Sequence, residues 1–195
     1  MEGTKPVNKK LAAALSGGAV LVLALSGCGG DDNDKLDSWA KQVCDAVQPQ
    51  AKKIESANAA IQKETSDNST PKDVQKTDAQ AFQDMSDAYK AIGTAVNKAG
   101  APDVENGEKK QQDAVKELNA ISTSYASLKK QVDGLDTKDQ SKFADGLKDI
   151  ATELDKLSQS GNDALRNLEE GEVGQAMAQQ SSCKAATASA GATQS

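Results

Sequence analysis

Residues 115–132 read VKELNAISTSYASLKKQV, and Val115, Leu118, Ile121, Tyr125, Leu128 and Val132 recur every three or four positions. That spacing lines one face of an α-helix, and no stretch of the chain shows the alternation of a half-buried strand. The seam extends upstream through Gln111 and Val104 to about Asp103, weakened by Gly107 and Glu108 on its inner face, and Gly134 closes it. Three other stretches carry the same period. From about Leu36 to Lys63 the stripe is Leu36, Ala40, Val43, Val47, Ile54 and Ile61, with Gln50 and Ala57 in the remaining slots. Pro49 sits inside it, which predicts a kink or short break near Ala46 to Gln48. After a polar loop, Thr65 to Ser69, Thr70-Pro71-Lys72-Asp73 is a helix start: a capping hydroxyl, a proline suited to the first position, and an acid for the positive helix end. Val74, Ala81, Met85, Ala88, Ile92 and Ala95 make its seam, widened by Phe82, Tyr89 and Val96, and Gly100 and Pro102 stop it. In the fourth stretch, Thr137 and Gln140 have capping-box spacing before Phe143, Leu147, Ile150, Leu154, Leu157, Gly161, Leu165 and Leu168. Glu169 to Gly174 can interrupt it before Ala176, Met177 and Gln180 lead to Cys183.

Long helices joined by loops of about 3 to 8 residues place sequential neighbours antiparallel. The expected fold is therefore all-α: an antiparallel up-down four-helix bundle. An elongated coiled-coil hairpin, or an oligomer built on the same seams, is the alternative.

The amino terminus has a different grammar. Lys5, Lys9 and Lys10 precede an uncharged run of 15 residues, Leu11 to Leu25, shorter than the roughly 20 of a comfortable membrane span. It ends in Leu25-Ser26-Gly27-Cys28, which resembles the lipobox of bacterial lipoproteins at all four positions. That resemblance implies cleavage between Gly27 and Cys28, a diacylglyceryl group on the Cys28 sulfur, and further acylation of the new terminus. Two or more acyl chains give lasting attachment where one gives only marginal binding. The expected layout is a signal peptide over 1–27, a lipidated cysteine with a flexible Gly/Asp tether over 28–35, a helical body over 36–184 and a disordered tail over 185–195. The acids of the tether lack the glycine and terminal glutamate of an EF-hand loop, so a solvated spacer is expected there rather than a calcium site.

Composition presses against a folded body. Between Cys28 and Ser195, Leu, Ile, Val and Phe make up 24 of 168 residues, about 14%, below the roughly 20% typical of globular chains, with 20 basic against 28 acidic residues. The acidic balance excludes a nucleic-acid partner. The chain has no histidine, which removes the commonest general base and metal ligand, and the Glu-x-x-His pairs of di-metal bundles with them. No serine sits in a strand-turn-helix elbow and no glycine-rich loop precedes a helix, so neither a catalytic site, a cofactor nor a metal is expected.

Cysteine usage supports a closed bundle. With Cys28 lipidated, Cys44 and Cys183 are left as a pair in an oxidising compartment. In an up-down bundle the beginning of the first helix lies beside the end of the last, where these two residues fall. A disulfide is expected; free buried thiols or an intermolecular link are the competing readings.

The layout resembles small secreted lipoproteins of actinobacteria in its lipobox, its Gly/Asp spacer, Trp39 to Asp45 followed by Pro49, and the terminal Ser182-Cys183. The resemblance implies a surface-exposed helical domain of unassigned role. The expected function is a non-enzymatic, membrane-tethered envelope interaction or structural module. The alternative is a carrier of a small or lipidic apolar ligand, lined by Trp39, Phe82, Met85, Tyr89, Tyr125 and Phe143, with Met177. A third reading is a redox sensor working through Cys44 and Cys183.

Overall fold

The computed structural model describes residues 30–64, 69–160 and 163–185, and these are helix and connecting turns without strands. The leader, the lipobox, residues 65–68, Gly161 and the tail from 186 lie outside the described residues. The elements are α1 (Gly30–Glu64), α2 (Pro71–Ala99), α3 (Gly107–Asp133), α4 (Gln140–Ser160), α5 (Asp163–Glu169), α6 (Glu172–Gln179) and a short α7 over 181–185.

Helices α1, α2 and α3, of 35, 29 and 27 residues, form the backbone of the body. At one end Trp39 of α1 meets the end of α2, where its indole Nε1–H donates to the Gly100 carbonyl at 2.8 Å. At the other end the Gln75 amide of α2 donates to the carbonyls of Val132 and Leu135 at 2.9 and 3.0 Å, closing the terminus of α3. Helices α1, α2 and α3 are therefore successively antiparallel. Midway, Ser86 and Ser122 each donate to the other's backbone carbonyl at 2.8 Å. Small residues let α2 and α3 approach: a Cβ on Gly93 would stand 3.3 Å from the Leu118 Cβ.

The buried side chains form two clusters. The first joins Leu36, Trp39 and Val43 of α1 to Ile92, Val96 and Leu118, closed over by Leu168, Val173 and Ala176. The second joins Ala57 to Phe82, Met85, Leu128 and Val132, closed over by Ile150, with Leu147, Leu154 and Leu157 packed against it. The fourth seam thus covers both clusters, but as fragments. Helix α4 packs on α3, where Gln131 donates to Glu153 at 2.6 Å, and α6 packs on α1.

Four local expectations need correction. Helix α1 begins at Gly30, so residues 30–35 are helix and not tether. The expected break at Pro49 does not occur: the helix continues through it, and the carbonyl left without a donor belongs to Asp45, an exposed residue. Helix α3 starts at Gly107 and not at Asp103, after a turn in which Asn106 adopts a left-handed φ of 58°. Helix α4 is capped by Asp139 and not by Thr137: its carboxylate accepts from the amides of Ser141 and Lys142, both at 3.1 Å. The Thr70 cap stands as read, accepting from the Asp73 amide at 3.3 Å. The break between α5 and α6 falls at Gly171, with φ +72°, inside the segment where an interruption was expected.

Glycines at two connections have no room for a side chain. A Cβ on Gly107 would sit 2.0 Å from the Pro102 carbonyl oxygen, and one on Gly174 would sit 1.7 Å from that of Glu169. Gly107→Ala and Gly174→Ala should each destabilise by about 1–3 kcal/mol. Gly134→Ala, whose φ of −84° suits alanine, should be neutral or stabilise by up to about 1 kcal/mol. Chemical denaturation of the three variants checks the contrast.

Candidate functional site

An open groove of about 920 Å³ lies at the end where α1 begins. Asp34, Lys35, Ser38, Trp39 and Gln42 line one side, and Ala99, Ala101, Pro102 and Asp103 the other. The α2–α3 loop that forms the second wall is set by its backbone, through Gly100 at φ +78° and the contact of Gly107 with Pro102. Trp39 ties the two walls together with its bond to Gly100. Above it, Lys35 Nζ lies 3.4 Å from Asp103 Oδ2, with more than half of each side chain exposed. An ion pair so open to water holds little energy and can be exchanged for other partners. The groove offers an apolar floor with charges of both signs at its rim.

The residues expected to line an apolar ligand site do not surround a common space. Trp39 belongs to the first cluster, with Tyr89 and Met177 packed against it, whereas Phe82 and Met85 belong to the second, with Tyr125. Phe143 is buried near the start of α4. Tyr89 and Tyr125 stack with centroids 5.6 Å apart and planes 8° from parallel, and Phe82 adds a tilted contact at 6.1 Å. Phe82 and Met85 are buried in the core, and the partly buried Tyr89 and Tyr125 pack against it through these ring contacts. Burial pushes both tyrosine hydroxyls up, Tyr125 to about 12, so neither is a phenolate base near neutrality. Trp39 alone lines the groove.

Cys44 and Cys183 are joined, with Cα atoms 4.9 Å apart across 139 residues of sequence. Cys44 is wholly buried and Cys183 partly exposed. Beside the bridge, Ser182 Oγ donates to Asp45 Oδ1 at 2.5 Å, and Lys41 approaches the same carboxylate at 2.6 Å. Those two contacts, Lys41 foremost, hold the Asp45 carboxyl below its ordinary range. The bridge fastens α7, and with it α6, to α1.

One titratable residue escaped the sequence reading. Asp78 occupies the slot between Val74 and Ala81 on the α2 seam and is 8% exposed. Burial first, and then the charge of Glu64, pushes its carboxyl up to about 6. Its position four residues after Val74 was the available signal, passed over because an apolar seam is read by its apolar members.

Among the described residues no three His, Cys, Asp or Glu side chains are arranged to hold a metal, and no helix is long and apolar enough to cross a membrane. No protein-family model, curated protein or solved structure matches the chain.

Removing the bridge with Cys44→Ser and Cys183→Ser should destabilise by about 4–5 kcal/mol in the chain-entropy model, measured as a fall in unfolding free energy. The Asp78 carboxyl takes up its proton more readily folded than unfolded, so its stabilising contribution is full below about pH 4 and is lost as pH rises through about 6. Asp78→Asn should therefore raise Tm at pH 7.5 and leave it unchanged near pH 4. A pH series of melting curves reads this directly, and an equal shift at both pH values would exclude it.

Proposed function

We propose that the chain is a lipid-anchored extracytoplasmic protein whose helical body serves as a non-enzymatic interaction or structural module of the cell envelope. The observation that carries this reading is Leu25-Ser26-Gly27-Cys28 directly after a basic segment and a 15-residue apolar run, with α1 starting at Gly30. The Cys44–Cys183 pair supports an oxidising compartment. In this reading α4 to α7 make up the fourth leg of an up-down bundle, returning the chain to the end where it leaves the membrane. An anchored helical body with an apolar-floored, charge-rimmed groove suits contact with other envelope components better than turnover.

Residues 1–27 are removed as the signal peptide, and Cys28 carries the lipid at the outer face of the membrane. Cys28→Ala should abolish incorporation of labelled palmitate in cells and leave the precursor unprocessed. The wild type should float with membranes. Incorporation of label into the Cys28→Ala variant would refute the assignment.

A further inference from the structure

The geometry points to the groove between α1 and the α2–α3 loop as a docking surface for the headgroups of zwitterionic phospholipids in the bilayer that holds the chain. The inference rests on the lipid-anchor reading, and adds to it an orientation and a lipid preference. Its first support is the length of chain available. A flexible tether would have let the body roam, but α1 begins at Gly30, leaving Gly29 alone between the lipidated cysteine and the first helical residue. At 1.5 Å per residue, Lys35 and Trp39 lie only about 7.5 and 13.5 Å along α1 from Gly30. The headgroup layer is itself roughly 5–7 Å thick on each side of a hydrocarbon core of about 30 Å. A tilt of α1 towards the α2–α3 loop therefore brings the groove onto that layer.

The second support is the match of charge and polarity. The rim already holds an ion pair, Lys35 with Asp103 at 3.4 Å, and Asp34 stands beside it. A zwitterionic headgroup carries the complementary set, a phosphate for Lys35 and an ammonium for Asp34 and Asp103. The exposed pair can open for this exchange without stranding a buried charge. Ala99, Ala101 and Pro102 below the rim give an apolar floor, and Trp39, only 6% exposed and bonded to Gly100, lies beneath it as a fixed reporter. Asp31, Asp32 and Asp37 flank the site in sequence, and an acidic approach of this kind opposes an anionic bilayer. Zwitterionic lipid is thus the favoured surface.

Trp39 is the only tryptophan in the chain, so the native protein reports its own docking. Full-length lipidated protein is reconstituted into phosphatidylcholine vesicles carrying a nitroxide either on the headgroup or at the acyl-chain end, and recovered by flotation. Headgroup nitroxide should quench Trp39 at least about twofold more than chain-end nitroxide, the two labels lying roughly 15 Å apart in depth. Replacing phosphatidylcholine by phosphatidylglycerol should cut headgroup quenching by about half or more, and Asp34→Asn with Asp103→Asn should narrow that difference between lipids. In Trp39→Phe with Lys138→Trp the reporter moves to the exposed α3–α4 turn, at the far end of helices roughly 40 Å long, and quenching should vanish. Protein that floats while Trp39 stays unquenched, or is quenched equally in both lipids, overturns the docking and leaves the anchor standing. Protein that fails to float overturns the anchor, and the docking with it.

Discussion

The Cys44–Cys183 bridge is the constraint on which the rest of the structure depends. Three long helices can find one another through their seams, but the fourth seam is cut into pieces, and α6 has only 8 residues. Helices under about 12 residues are marginal in water on their own. What α6 gains by burying Val173 and Ala176 in the first cluster, packed on α1, must offset the ordering of the whole connection behind it. Joining residues 139 apart in sequence removes much of that entropy from the unfolded chain. The bridge thus lets a chain with a thin core keep its last leg in place.

The same constraint organises the functional end of the molecule. Antiparallel helices bring the start of α1, the α2–α3 loop and the α6–α7 segment together, and the bridge prevents the last of these from leaving. The first cluster beneath the groove is closed by residues of α5 and α6, so the support under Trp39 includes the bridged segment. Groove and covalent clamp thus lie at one end of the body, the end where α1 begins.

Much of this was legible in the amino-acid order because helical period, caps and cysteine count are local or topological signals. Thr70, Pro71 and Asp73 mark the start of α2 with their own side chains, and the pairing of Cys44 with Cys183 follows once the helices alternate in direction. The misreadings have physical causes too. Pro49 is judged a breaker by its missing amide, but its effect depends on whether the Asp45 carbonyl faces water, which only the packed structure decides. Asp139 and Thr137 are both competent caps, and the choice depends on where the turn after α3 delivers the chain. Glycine and acids at 30–34 suit a tether or a first helical turn equally. The aromatic residues were grouped as one ligand lining because composition carries no position along the bundle; their separation into two clusters depends on the helix offsets. Asp78 stayed hidden for a similar reason, since its burial comes from α2 packing and not from its neighbours in sequence.

The most direct test of the bridge's role is amide hydrogen exchange, followed segment by segment in oxidised and reduced protein. Loss of the bridge should speed exchange at residues 163–185 by orders of magnitude while the centres of α2 and α3 stay protected. Equal protection of residues 163–185 in both forms would contradict the account, and so would uniform loss across all helices.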